Sequence, residues 1–270
     1  MNLLTFSQDN PLLFTQSLFW VFFAVVLMFY SPLRNKLRAR HFYLLVVSFL
    51  FYYLSSGLFV FLLFVTTVLT YGFGRLLFRL KSTKARKTSL VFGIVVNLFF
   101  LCYFKYAYFI IDIINGCFGA SLQVVNVPAL FANGTFGTSF SVDKIVLPVG
   151  ISFYTFQAIS YLADIYRRKI AKQPSFVDFA FYLSFFPQLV AGPIVRAEDF
   201  LPQLDKPYSL SKAEFSWSVF FILKGLIKKI VISDYISINF VDRVFDMPLM
   251  YSSFEIIMAG YGYTLQSYCD

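Results

Sequence analysis

Charged residues are scarce in this chain of 270 residues: Asp, Glu, Lys and Arg together make up 14% of it, whereas apolar residues make up 59%. This composition, with a mean hydropathy of +0.70, excludes an ordinary soluble globular protein and indicates an integral membrane protein. The net charge of +9 could suggest a nucleic-acid-binding protein. However, the Lys and Arg residues fall in short clusters between apolar runs, as topology determinants do, so we expect membrane lipid and no nucleic acid among the partners.

Cysteine and histidine are almost absent. The three cysteines, Cys102, Cys117 and Cys269, are an odd number without paired spacing, which supports neither a disulfide framework nor a zinc site. The only histidine, His41, lies in a basic stretch after the first apolar run, and we interpret it as an interfacial or loop residue. No Ser-His-Asp, Cys-His or metal-ligand spacing can be assembled around it. We therefore predict no metal and no bound cofactor.

The first apolar run, residues 11–30, is long enough at about 1.5 Å per residue to cross a hydrocarbon core of about 30 Å. No Lys or Arg precedes it and no small-residue cleavage pattern follows it, so we expect a retained membrane helix and not a signal peptide. The first basic cluster follows at residues 31–41. The positive-inside rule then predicts that the N-terminus lies outside and this cluster in the cytoplasm.

Residues 42–74 form an uncharged stretch that ends in a second basic cluster, residues 75–87. If both clusters are cytoplasmic, the stretch between them crosses the membrane an even number of times. Two helices hinged near residues 55–57 satisfy this condition, but each would be shorter than the roughly 17 residues that a span needs. We therefore expect a locally thinned bilayer or a pair of helices that only dips into it.

Two further runs are predicted to cross the membrane. Residues 90–114 contain Lys105 and Asp112, which either share a face in the protein interior or interact locally near the helix end. Residues 106–143 contain no Lys or Arg and are rich in Gly, Asn and Ser after the span, which indicates an extracytoplasmic loop. Residues 145–163 then return to the cytoplasm.

This returning run carries a polar stripe, because Tyr154, Gln157 and Asp164 recur at helical spacings of three and seven residues. Such residues either supply hydrogen bonds between membrane helices or line a polar cavity. The spacing alone leaves both interpretations open.

The next apolar segment, residues 176–204, is broken by Pro187, Gly192 and Pro193. Inside hydrocarbon, a broken helix is tolerated only where protein or a water-filled cavity satisfies the freed backbone groups. We therefore expect either a cavity here or a kink that serves packing alone. The polar residues 197–212 that follow are predicted to form a cytoplasmic loop.

Four stretches of this sequence resemble the membrane-bound O-acyltransferase family, in its bacterial branch. They are LPVGISFYTFQAISYLADIYRR at 147–168, FFPQLVAGPIVR at 185–196, LKGLIKKIVISDYI at 223–236 and YGYTLQSYCD at 261–270. The resemblance implies an all-α, polytopic transmembrane fold with short, broken and re-entrant helices. It also implies one multi-span domain over residues 1–270 in the cytoplasmic (inner) membrane of a bacterium.

As function, the resemblance implies transfer of an acyl group such as acetyl to hydroxyls of a cell-surface polysaccharide, directly or through a periplasmic acyltransferase partner. The donor would be a cytoplasmic thioester, acyl-CoA or an acylated carrier protein. We expect Gln188 and Arg196 to be structural or donor-side groups, because an amide is not a base and a guanidinium stays protonated. The full set of residues predicted to line the cavity or the donor path is Tyr154, Gln157, Asp164, Pro187, Gln188, Gly192, Pro193 and Arg196.

The last apolar helix, residues 256–270, stops at an acidic residue before it is long enough to span. The family's essential histidine would lie in later spans, so we expect this chain to be the N-terminal part of a longer acyltransferase, without its catalytic base. Two other interpretations remain open. One is a transporter or flippase, although no internal repeat is visible, and the other is a non-catalytic remnant that binds a partner.

Overall fold

The computed structural model describes residues 12, 14, 16–136, 142–190, 192–207 and 209–269, and within these ranges the regular structure is helical, without β-strands. Its contacts divide the chain into two compact units, which are described separately. One comprises Met1–Leu13 and Phe22–Pro207, and the other comprises Phe14–Val21 and Tyr208–Asp270. The all-α fold class is confirmed, whereas a single domain over residues 1–270 stays a prediction.

The helices follow one another closely, and several are short. In chain order they are α1 Ser17–Tyr30, α2 Leu37–Ser56, α3 Val60–Arg79, α4 Thr83–Phe118, α5 Val127–Phe136, α6 Ile151–Tyr166, α7 Phe176–Ser184, α8 Phe186–Leu189, α9 Ala197–Leu204, α10 Lys212–Ile227, α11 Asp242–Asp246 and α12 Ser253–Cys269. Two helical stretches, Leu37–Arg79 and Thr83–Phe118, are long and apolar enough to cross a membrane. The multi-pass topology stays a prediction.

The hinge predicted near residues 55–57 is present at Gly57, which has φ 60° and ψ −132°. The predicted shortness of the two helices was wrong, because α2 and α3 each contain 20 residues. Both continue into the basic flanks, where long aliphatic Lys and Arg stems are good helix formers. At 1.5 Å per residue each helix is about 30 Å long, so no thinning of the bilayer is required.

Other boundaries also differ from the predictions. Helix α4 contains 36 residues and extends well beyond the predicted span 90–114. The predicted extracytoplasmic loop contains the end of α4 and also α5. Part of the predicted loop 197–212 is helix α9, whose first turn carries Glu198 and Asp199, where acidic groups stabilise a helix.

Helix α6 is the central buried helix of the first unit, with Tyr161 and Leu162 fully buried. Two glycines allow its close contact with α3 and α4. A Cβ atom on Gly74 would lie 2.7 Å from Tyr161 Cε1, and one on Gly93 would lie 2.9 Å from Leu162 Cδ1. Small residues of this kind let membrane helices approach closely where lipid offers no hydrophobic driving force.

The second unit contains two π-helical segments, Lys228–Asp234 and Ser237–Val241. Each segment carries a side-chain interaction between residues five apart: Lys229 Nζ lies 3.0 Å from Asp234 Oδ1, and Ser237 Oγ donates to Asp242 Oδ2 at 2.7 Å. A π-helix brings residues at this spacing onto one face, so these pairs favour it over an α-helix locally.

We predict that Gly57→Ala destabilises the first unit by about 1–3 kcal/mol, because an L residue rarely adopts this backbone conformation. The melting temperature of the detergent-purified chain, followed by fluorescence-detected gel filtration, measures the effect. Gly72→Ala is the matched control, because a Cβ on this helical glycine would meet nothing within 4 Å. Equal melting temperatures for the two variants would contradict the assigned hinge.

Candidate functional site

The broken segment runs from α7 through α8 to α9. Helix α7 ends because Phe185 leaves the helical conformation, with φ −53° and ψ 107°. This break frees the carbonyl of Tyr182, which instead accepts a hydrogen bond from Gln188 Nε2 at 3.2 Å. The Tyr182 hydroxyl in turn donates to the carbonyl of Val195 at 2.9 Å. The protein itself therefore supplies partners for the interrupted backbone, as a non-helical segment within a membrane requires.

The start of α6 packs directly against α8. Gly150 has φ 74°, and a Cβ atom there would collide with the carbonyl oxygen of Leu189. The preceding residue, Val149, is held by α2: its N–H donates to Ser56 Oγ at 3.2 Å and its carbonyl accepts from the Tyr52 hydroxyl at 2.9 Å. Glycine at position 150 thus allows two of the family-like stretches to meet. It also explains why α6 begins later than the predicted residue 145.

The other end of α6 meets the start of α9 through a charged cluster. Glu198 Oε1 lies 2.9 Å from Lys169 Nζ and 3.3 Å from Arg196 Nη1. The hydrogen bond from Lys169, followed by that from Arg196, holds the pKa of Glu198 below its usual range. Asp164, at the last turn of α6, interacts electrostatically with all three of these groups.

The chain between α8 and α9 passes from one end of α6 to the other. Leu189 lies at the N-terminal end of α6. At the other end, Arg196 pairs with Glu198, which also pairs with Lys169 just beyond the C-terminus of α6. The connecting chain begins with a turn, because Val190 has the αR conformation and the N–H of Gly192 donates to the carbonyl of Gln188 at 3.0 Å.

The predicted site residues divide by burial. Tyr154, Gln157, Asp164 and Gln188 are buried, Gly192 is half-buried, and Pro187, Pro193 and Arg196 are exposed. Gln157 Nε2 and Asp164 Oδ2 are buried and form no hydrogen bond with any described residue. Neither atom therefore serves as an interhelical hydrogen-bonding group in the described chain. The eight residues line the two ends of α6 and do not meet at one point, so a common cavity stays a prediction.

The interpretation of His41 as a loop residue was wrong. His41 lies in α2 and is only 6% exposed. Its Nδ1 lies 2.7 Å from Asp178 Oδ1 on α7, and its Nε2 lies 3.0 Å from the carbonyl oxygen of Leu204, the last residue of α9. The neighbouring Arg40 donates to the carbonyls of Leu204 and Lys206. One histidine therefore connects three helices of the first unit.

Both partners of the His41 ring accept hydrogen bonds, since a carboxylate and a carbonyl have no proton to donate. One feature of the sequence indicates this contact. Asp178 is a single acidic residue within an apolar stretch, and such a residue in a membrane protein needs a partner.

We predict that His41→Leu destabilises the first unit by about 1–3 kcal/mol, because the Asp178 carboxylate and the Leu204 carbonyl each lose one of their two hydrogen-bond partners. Thermal unfolding of the detergent-purified chain measures the loss. Phe42→Leu serves as the control, since Phe42 is adjacent and 59% exposed. A melting temperature of His41→Leu equal to that of the wild type would show that the three-helix connection contributes nothing.

The chain is similar in sequence to proteins of a known membrane family. Residues 165–269 match the model of the membrane-bound O-acyltransferase family, MBOAT. The matched segment begins at the end of α6 and contains the broken segment and α10–α12. The chain belongs to this family and is a membrane protein.

Among its relatives are bacterial O-acetylases. The chain is 34% identical over 73% of its length to the probable alginate O-acetylase AlgI of Pseudomonas aeruginosa, and 35% identical over 73% to the protein of the same name from Azotobacter vinelandii. It is 27% identical over 89% to the peptidoglycan O-acetyltransferase of Helicobacter pylori. The chain spans 35%, 37% and 46% of the length of these curated relatives, respectively. No solved structure matches the chain.

Within the described ranges, no group of three or more His, Cys, Asp or Glu side chains could hold a metal ion. Three acidic residues lie nearest to the site. Asp164 and Glu198 interact with cations, and Asp178 accepts a hydrogen bond from a serine hydroxyl. The absence of a metal and of a bound cofactor stays a prediction.

Proposed function

We propose that this chain forms the donor-side membrane part of an O-acyltransferase that modifies a bacterial cell-surface polysaccharide. The observation that carries this proposal is the packing of one family-like stretch, residues 185–196, against the other, residues 147–168, which contains α6. Gly150 meets α8 at one end of α6, and Glu198 pairs with Lys169 just beyond the other end. This arrangement lays a non-helical segment beside a buried helix that carries unsatisfied polar atoms, which is suited to a path for a polar group.

The proposed reaction moves an acyl group from a thioester to a hydroxyl. The thioester C–S bond breaks, a C–O ester bond forms, and the proton of the hydroxyl ends on the released thiol. Such a transfer needs a base for the hydroxyl and hydrogen-bond donors for the developing oxyanion. The role of the path-lining residues of this chain would be to hold the path open and to orient the acyl donor. No base is assigned among them.

Each lining residue has a proposed part in this scheme. Gln188 holds the carbonyl freed by the break, so its role is structural. Arg196 is half exposed and is bonded to Glu198 through one nitrogen, Nη1, so its other N–H groups can bind the phosphates of a coenzyme A or carrier-protein thioester. Tyr154, Gln157 and Asp164 line the α6 side. On the opposite side, Pro187 lies in α8, and Gly192 and Pro193 belong to the non-helical segment that follows it.

The substrate class rests on the names of the relatives, which are O-acetylases acting on alginate or peptidoglycan. For this chain we propose acetyl as the acyl group and a polysaccharide or peptidoglycan hydroxyl as the acceptor, reached directly or through a periplasmic acyltransferase. The proposed location is the cytoplasmic membrane, with several spans and the N-terminus outside.

Thioester-dependent labelling tests the reaction class. Bacterial membranes that contain the protein, encoded at its native locus, are supplied with radiolabelled acetyl-CoA, and the label in the polysaccharide fraction is counted. We expect covalent label that is lost when the gene is deleted. Movement of the polysaccharide or of the acyl group across the membrane without any covalent label would favour a transporter instead.

Substitution of the two polar residues of the broken segment tests their roles. We expect Arg196→Ala to raise the KM for the donor about tenfold through loss of a charge-assisted hydrogen bond, with little change in kcat. We expect Gln188→Ala to reduce the amount of folded protein, because a buried carbonyl loses its donor. Lys172→Ala removes an exposed cation outside the site and should change neither quantity. The proposal fails if both variants keep wild-type activity and donor affinity.

A further inference from the structure

A cleft of about 390 Å³ lies outside the path along α6, where the end of α3, the start of α4 and the turn after α6 come together in the first unit. About half of its wall is apolar, and its charged residues are all basic. The cleft is lined by Leu77, Phe78, Leu80, Lys81, Arg86, Ile165, Arg168, Ile170 and Ala171.

The three cations of the cleft have no acidic partner. Among the described residues, Lys81, Arg86 and Arg168 form no ion pair, and no carboxylate lines the cleft. Arg86 is fixed in place, because its Nη2 donates to the carbonyls of Ile165 at 3.1 Å and Tyr166 at 3.0 Å. Its Nε is buried and has no hydrogen-bond partner in the described chain. Three like charges held together without a counterion favour an anionic ligand.

The backbone at Arg168 adds a second, independent observation. Helix α6 ends in a Schellman motif, in which Arg168 N–H donates to Ile165 O at 3.0 Å and Lys169 N–H donates to Asp164 O at 2.9 Å. The residue in the left-handed position of this motif is usually glycine, but here it is Arg168, with φ 60°. In the described chain it is the one residue other than glycine with a positive φ. A strained position that keeps a charged side chain at a cleft indicates that the side chain has a use there.

The position of the cleft relative to the membrane indicates which kind of ligand it binds. Lys81 lies two residues beyond the end of α3, and α3 ends the apolar stretch Leu37–Arg79 that is long enough to cross a membrane. The cleft therefore lies where a membrane helix leaves the hydrocarbon, which is the level of lipid headgroups. The apolar part of the cleft wall suits the hydrocarbon of an amphiphile that lies next to the charged group of the amphiphile. We propose that this cleft binds the phosphate group of an anionic amphiphile, for which its position favours a membrane phospholipid.

The test uses a double variant chosen to keep the fold intact. Lys81→Gln removes an exposed cation that has no hydrogen bond. Arg168→Gly removes a second cation and supplies the residue that the left-handed position favours, so the melting temperature should not fall. Arg86 is left unchanged, since it also holds the end of α6. The matched control is Lys84→Gln with Arg167→Gln, which removes two exposed cations near the cleft that do not line it.

Native mass spectrometry of the full chain in detergent measures binding of short-chain phosphatidylglycerol, with phosphatidylcholine and coenzyme A as separate arms. We expect phosphatidylglycerol to bind more tightly than phosphatidylcholine. We expect the Lys81→Gln/Arg168→Gly variant to bind it roughly 30-fold more weakly, which is about fivefold for each lost cation, and the control variant to bind it like the wild type.

The two sources of a phosphate group are distinguished by the arms. Binding of coenzyme A, lost in the double variant but not in the control, would support the phosphate site and identify a soluble ligand in place of lipid. The proposal would be overturned if the wild type, the double variant and the control all bound phosphatidylglycerol with the same affinity, and all bound coenzyme A with the same affinity. None of these measurements depends on acyl transfer, so the outcome is separate from that of the labelling experiment.

Discussion

The first unit depends on one constraint: a polypeptide that leaves the helical conformation within a membrane must satisfy its freed backbone groups from inside the protein. At the break after α7, a side-chain amide and a tyrosine hydroxyl do so, from Gln188 to Tyr182 and from Tyr182 to Val195. At the end of α9, His41 and Arg40 serve the same need, because both donate to Leu204 O, a carbonyl of the last helical turn. At these two interruptions of the backbone, polar side chains take the place of helical hydrogen bonds.

Close packing around α6 requires glycine at three positions. At Gly150 the backbone of α8 approaches so closely that only a residue without Cβ fits, and the positive φ at this position would strain any other residue. At Gly74 and Gly93 the absence of a side chain lets α3 and α4 pack against the buried face of α6. The broken segment can run beside α6 because α6 is held closely on its other sides.

Much of this organisation could be predicted from local sequence. The break in residues 176–204 follows from Pro187 and Pro193, and the hinge at Gly57 follows from a small-residue cluster between apolar runs. Helix lengths were harder to predict, because the basic flanks of α2 and α3 are good helix formers and continue the helices beyond the apolar limits. The partners of His41 could not be predicted, since Asp178 is 137 residues away in sequence and the contact depends on the packing of α2 against α7. The polar stripe of Tyr154, Gln157 and Asp164 could be predicted from its spacing in the sequence. The distribution of the predicted site residues between the two ends of α6 could be seen only in the structure.

Helix α4 is one uninterrupted rod of 36 residues, about 54 Å in length. A hydrocarbon core of about 30 Å accommodates only a little over half of a rod of this length when it stands upright. The remaining turns must enter the headgroup layers and the aqueous phase, or the rod must lean by a large angle. A stiff helix transmits a displacement at one end to the other without losing it in bends. A displacement near Arg86 at one end of α4 is therefore passed on to Gly119 at the other end, without any loop in between.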